Sequence, residues 1–150
     1  MKARWYFDFI SPFSYLHLKQ FGQVVRPLEI EPVPVLFAGL LKAHEYKGPA
    51  EIPAKRLQTY RQCVWISHHL GIEFRFPPRH PFNPLPYLRL AVAGGATLRN
   101  VEAIFDLLWM EGRDPDDEGT LHAAANAVGL PEALRLIDTA EIKAKLAANT

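Results

Sequence analysis

The densest run of apolar positions opens the chain, where Trp5, Tyr6, Phe7, Phe9 and Ile10 are broken only by Asp8. Large aromatic residues this close together predict a buried strand, placed over 3–9. The run closes at Ser11 and Pro12, after which Tyr15, Leu16 and Leu18 predict a helix whose core spans 14–21 and which Gly22 closes or loosens. Ser11 suits the N-cap, because its hydroxyl oxygen accepts from a free N–H of the first turn. Pro12 suits the first helical position, because the N–H it lacks would have had no partner. Unpaired N–H groups and the positive end of a helix dipole therefore meet at this turn, a setting that favours a thiolate or a carboxylate.

Alternation of Leu28, Ile30, Val33 and Val35 with other residues predicts a second strand over 28–35. Pro32 and Pro34 cannot donate to a ladder, so this strand lies at an edge or pairs on one side only. Strand, helix and strand make a βαβ unit with parallel pairing. Residues 36–43 are apolar enough to begin a helix, whereas Gly48, Pro49 and Pro53 mark 44–53 as a loop. A long helix is predicted over 54–70, with Leu57, Tyr60, Val64 and Ser67 or His68 on one face, Lys55, Arg61 and Trp65 on the other, and Gly71 as its stop.

Five prolines fall between Pro77 and Pro86, flanked and interleaved with Phe76, His80 and Phe82, which predicts an ordered, extended loop. Asn83 is the expected N-cap of a helix running to about residue 93. Thr97 caps a strongly amphipathic helix whose Val101, Ile104, Phe105, Leu108 and Trp109 form a buried stripe ended by Gly112. An acidic turn at 113–118 leads to helices over 121–128 and 131–136, and Asp138 with Glu141 has capping-box spacing for a last helix over 139–148. Two strands do not make an independently stable sheet, so either the helices supply nearly all the packing or the chain lacks strands that such a sheet would have.

Composition narrows the partners more than the fold. The chain has 150 residues, 49% hydrophobic and 22% charged, with a net charge of +1. A chain of this size buries about 70% of its unfolded surface, and its charge balance sets up no field that would recruit nucleic acid or an anionic membrane. Asp8 interrupts any signal-peptide core, and the longest apolar run, 33–41, is too short for a membrane span and contains Pro34 and Gly39, so a cytoplasmic location is expected. Cys63 is the single cysteine, which excludes an intrachain disulfide and a Cys-x-x-Cys pair; inside a helix it reads as a small buried hydrophobe. Cys63, His68 and His69 share that helix without an i, i+4 pair, and no metal site is expected. There is no Gly-rich phosphate loop, and Ser11 lacks the context of a nucleophile elbow.

The segment Tyr6-Phe7-Asp8-Phe9-Ile10-Ser11-Pro12-Phe13-Ser14-Tyr15-Leu16 resembles the start of 2-hydroxychromene-2-carboxylate isomerases, a glutathione-using branch of the DsbA-like thioredoxin superfamily that includes kappa-class glutathione transferases. Residues 37–43 with Gly39 and Lys42, then 53–56, 60–65, 76–89 and 109–114, agree in order along the whole chain. The resemblance implies an α/β, thioredoxin-like (DsbA-like) fold: a βαβ half over 1–35, a large inserted helical domain over 36–130, and a helical return over 131–150. Members of that family continue past the equivalent of Thr150 into a cis-proline loop, two strands and a helix. On this resemblance the C-terminal ββα half is missing and the chain is mostly helical.

The resemblance also places Ser11 where the first cysteine of a redox motif would stand, with glutathione as cofactor supplying the sulfur. It implies glutathione-dependent cis-trans isomerisation of an aromatic 2-hydroxychromene-2-carboxylate-type substrate to the trans-alkenyl pyruvate, with Ser11 catalytic. Ser11, Pro12, Phe13 and Lys55 would bind the cofactor, and Asn83 and Lys42 the small aromatic carboxylate substrate. A kappa-like transferase, a non-catalytic thioredoxin-like binding module and an inactive fragment are the alternatives, and a homodimer is a possible assembly.

Overall fold

A computed structural model describes residues 1–24 and 28–150. Strand β1 (Lys2–Phe7) leads through a tight turn into α1 (Pro12–Leu18) and a short α2 (Phe21–Val24), and β2 (Glu29–Pro34) returns beside β1. The connection at 25–27, inside the predicted βαβ unit, lies outside the described residues. The two strands pair in parallel, with Trp5 opposite Pro32 and Phe7 opposite Pro34. Glu29 donates its N–H to the Met1 carbonyl and Val35 donates to Phe7, so the odd-numbered N–H groups of β2 point at β1. Pro32 and Pro34 fall on the opposite edge, where a missing N–H costs no ladder bond and blunts that edge to further pairing.

Helices make up most of the rest: α3 (Phe37–Ala43), α4 (Pro53–Leu70), α5 (Leu85–Ala93), α6 (Leu98–Phe105), α7 (Glu118–Ala127) and α8 (Ala140–Asn149). Short 3₁₀ turns at Pro49–Glu51 and Pro131–Arg135 lie between them. The first of these falls in the stretch 44–53 expected to be a plain loop, and the second replaces the α-helix expected over 131–136. The structure is thus a small parallel sheet wrapped by helices.

Period-two alternation sends Trp5 and Phe7 inward and leaves Lys2, Arg4 and Tyr6 exposed. Phe105 sits at the centre of the inward face, its ring 5.7 Å from Phe7, 4.7 Å from Phe9 and 6.2 Å from Trp5. One apolar cluster runs from these residues through α5, α6 and α7 to Leu146 of α8. The predicted stripe Val101, Ile104, Phe105, Leu108, Trp109 is fully buried, and Thr97 caps its helix by accepting from the Asn100 N–H at 3.2 Å. After Phe105 the helix widens into a π-turn at Asp106–Met110, which turns Leu107, Leu108 and Trp109 all into the core. Gly112 follows with φ +68, and a Cβ there would stand 3.0 Å from Arg75 Cβ, so only glycine lets the 72–76 segment pass this close.

Several elements differ from their sequence expectation. The first helix stops at Leu18, and Gly22 lies inside α2, where Phe21 packs edge-on against Trp5 at 4.9 Å. Helix α4 buries Ser67 of the predicted face together with Cys63, but Leu57 and Val64 of that face are 52% and 41% exposed. The face of α4 that meets the rest of the chain is narrow, and Leu57 and Val64 lie off it. Pro84, not Asn83, caps α5; the Asn83 Oδ1 accepts from the Leu85 N–H at 3.1 Å as a local turn. Thr139, not Asp138, caps α8, and Asp138 is drawn instead to Arg89 at 2.8 Å.

Candidate active site

The turn from Asp8 to Ser11 is held at each backbone group by a specific partner. Trp109 Nε1 donates to the Phe9 carbonyl at 2.8 Å. His80 Nε2 bonds the Ile10 carbonyl at 2.8 Å, the Ile10 N–H donates to Asp8 Oδ1 at 3.1 Å, and the Ser11 N–H donates to the Asp8 carbonyl at 3.1 Å. Ser11 then takes extended backbone angles, φ −92 and ψ 112, and its Oγ accepts from the Ser14 N–H at 3.2 Å. This is the predicted N-cap, with Pro12 in the first helical position. Since the cap uses Oγ as acceptor, the hydroxyl hydrogen stays available to a ligand.

Asp8 ties this turn to the opposite wall. Its Oδ2 accepts from the Phe37 N–H at 2.8 Å, which anchors the start of α3. Only 3% of Asp8 is exposed, and burial raises its pKa from 3.8 to about 6, against the pull of the N–H groups of Phe37, Ile10 and Phe9.

Between α1, α3, the 48–51 turn and the proline-rich loop lies a cavity of about 310 Å³. Its floor is Asp8, Ile10, Ser11, Pro12 and Phe13, and Phe37, Ala38 and Leu41 form one wall. Gly48 to Glu51 and Thr59 form another, and His80, Pro81 and Pro84 close the far side. The lining is mainly apolar, and its charged groups are the carboxyls of Asp8 and Glu51. Glu51 is fixed by accepting from the Gly48 N–H at 2.7 Å.

Of the residues singled out in the sequence, the fold brings Ser11, Pro12 and Phe13 together on the cavity floor. Lys42 and Lys55 are exposed and lie outside the lining, although Lys42 follows Leu41 on α3 and Lys55 stands on the first turn of α4 beside the 48–51 turn. Asn83 is exposed as well, between Pro81 and Pro84, which do line the cavity. Cys63 is fully buried away from this floor, and desolvation pushes its thiol up to about 12.

Asp8, Glu51, Thr59 and His80 were missed as site residues. Asp8 carried a signal, as the one charge that breaks the aromatic run from Trp5 to Ile10, and His80 stood out as an anchor of the proline-rich loop. Glu51 and Thr59 carried none.

A βα turn thus presents a capping serine to an apolar cavity beside a parallel two-stranded sheet wrapped by helices. The DSBA-like thioredoxin domain matches residues 4–150, and the chain belongs to that family. A solved structure of 2-hydroxychromene-2-carboxylate isomerase superposes on it with a TM-score of 0.81 at 21% identity, over 100% of this chain and 77% of that one. The likeness is one of fold. Glutathione S-transferase kappa 2 of Caenorhabditis elegans is 31% identical over 78 residues, which cover 50% of this chain and 35% of that protein. The chain thus spans about a third of the curated relative it matches.

Proposed function

We propose that this chain binds glutathione at the Ser11 turn and isomerises an aromatic 2-hydroxychromene-2-carboxylate-type substrate to its trans-alkenyl pyruvate. The observation that supports this most directly is the Ser11 hydroxyl, its hydrogen uncommitted, on the floor of an apolar cavity. The residues present fit a thiol cofactor. A hydroxyl donor beside the first-turn N–H groups stabilises a thiolate, and Pro12 and Phe13 offer apolar contact to its carbon chain.

Bound glutathione would supply a thiolate able to add reversibly to a conjugated ring system, so that rotation about the former double bond becomes possible and the thiol is regenerated. Ser11 holds that charge. Phe13, Phe37 and Leu41 pack a flat ring and exclude water from it. The Asp8 and Glu51 carboxyls repel a substrate carboxylate from the interior and turn it outward, and Lys42 and Lys55 are the cations proposed to meet it there. Mixing protein, glutathione and 2-hydroxychromene-2-carboxylate and following absorbance tests the proposal. The expected result is conversion that needs both components, and conversion at the same rate without glutathione would reject it.

A second reading, a kappa-like transferase acting on neutral aromatic electrophiles, draws on the same lining, because the charged groups among its described residues are carboxyls. Glutathione consumed rather than regenerated, with an electrophile lacking a carboxylate, would select it.

A further inference from the structure

We propose that His80 is a positioning residue: by holding the Ile10 carbonyl it orients the Ser11 hydroxyl and the first-turn N–H groups toward a bound thiol. The identity of that thiol rests on the glutathione reading above; the geometry does not.

The tautomer follows from the partners. A carbonyl only accepts, so the ring nitrogen 2.8 Å from the Ile10 oxygen, Nε2, carries the hydrogen. Nδ1 is then the acceptor on the neutral ring, and the Tyr60 hydroxyl stands 2.7 Å from it and 3.0 Å from the His80 carbonyl, so its one hydrogen faces both acceptors. The Ile10 carbonyl thus selects the tautomer, and Tyr60 braces both the ring and the backbone of His80 from the other side. Aromatic rings hold the imidazole plane, with Trp109 edge-on at 5.3 Å, Tyr60 at 5.4 Å and Phe82 at 6.2 Å. Burial lowers the basicity of His80, and nearby Arg56 acts in the same direction, so the neutral ring this pattern needs is the favoured one.

Both ring nitrogens are committed, so His80 acts through the backbone rather than as a base. Ile10 and His80 are 70 positions apart and both line the cavity. The chain Tyr60, His80, Ile10 therefore carries the position of α4 and the proline-rich loop into the peptide that precedes Ser11.

The test needs no glutathione. The double substitution Ser11→Cys with Cys63→Ala leaves one thiol, at the turn, whose ionisation is read from ultraviolet thiolate absorbance against pH. In that background His80→Leu is expected to raise the thiol pKa by about one unit toward that of a free cysteine. His80→Gln, which keeps an N–H donor, should restore most of the shift. Tyr60→Phe, which keeps the ring packing and removes the hydroxyl that braces His80, should give an intermediate shift and serves if His80→Leu does not fold. Leu146→Ala, a core truncation on α8 outside the lining of the cavity, should leave the thiol unmoved. An unchanged pKa in both His80→Leu and Tyr60→Phe, or an equal shift in Leu146→Ala, overturns the proposal. A calorimetric titration of the unsubstituted protein with glutathione, run alongside, bears on the cofactor reading alone, so the two failures are separable.

Discussion

Trp109 and Phe9 are joined by a hydrogen bond of 2.8 Å between the buried indole N–H and a backbone carbonyl 100 positions earlier. The π-turn brings that indole against the Asp8–Ser11 turn, and the bond fixes the peptide two residues before Ser11. Trp109→Phe keeps most of the ring but leaves the Phe9 carbonyl without its donor. A loss of about 1–3 kcal/mol is expected from an unpaired buried acceptor. Urea unfolding measures it, and a change below the scatter would mean that water replaces the indole.

Ser11→Ala separates capping from chemistry. Removing an N-cap hydroxyl costs about 1 kcal/mol of stability, whereas removing a donor to a developing anion costs about a hundredfold or more in rate. The expected outcome is a modest fall in Tm with a large fall in glutathione-dependent turnover. Loss of both in proportion would assign Ser11 to the cap alone.

Asp8 gives the fold an acid-side gain in stability. Its native pKa, about 6, lies above the ordinary 3.8, so between those values the native state holds a proton that the unfolded chain has lost. Stability from Asp8 is therefore full below the lower value, falls as pH rises through the interval, and stays lower by about 3 kcal/mol above it. His80 works the other way, because its lowered pKa makes the unfolded state the better proton acceptor as pH falls through the ordinary histidine range. Comparing urea midpoints of the wild type and Asp8→Asn across this interval isolates the first effect. The stability difference in favour of wild type should widen toward acid, and a constant offset would contradict the raised pKa. The shape matters more than the level, since the asparagine amide cannot accept from both Ile10 and Phe37.

Gly112→Ala puts a Cβ into the space 3.0 Å from Arg75 Cβ at a left-handed φ. About 2 kcal/mol of destabilisation is expected from strain and overlap together. Thermal unfolding checks it, and Gly71→Ala, also left-handed but with nothing within 4 Å, should cost less.

The two faces of α4 are expected to respond in opposite ways to their apparent hydrophobicity. Leu57→Gln should change stability by less than about 0.5 kcal/mol, because Leu57 is half exposed. Cys63→Ser should cost about 1–3 kcal/mol, because it buries a hydroxyl where a thiol packed. The reverse ranking in denaturant titrations would restore the sequence-based face.

Much of this protein was legible in its residues because the deciding interactions are local. A Ser-Pro pair behind an aromatic strand selects a capped helix start within four residues, and Ser11, Pro12 and Thr97 sit where capping chemistry puts them. The stripe from Val101 to Trp109 needs only helical spacing, and the prolines of β2 need only the rule that they cannot donate. Tertiary structure decided what spacing leaves open. Which face of α4 is buried depends on what packs against it, so Leu57 was displaced by Cys63. Asp138 left the expected cap because Arg89, on another helix, offers a charged partner. Asp8 and His80 became part of the site because their side chains reach backbone groups 29 and 70 positions away. Such closures depend on chain folding over distances at which local preference carries no information. The sequence by itself determined the capped serine turn; the tertiary structure decided what holds that turn in place and which cavity it faces.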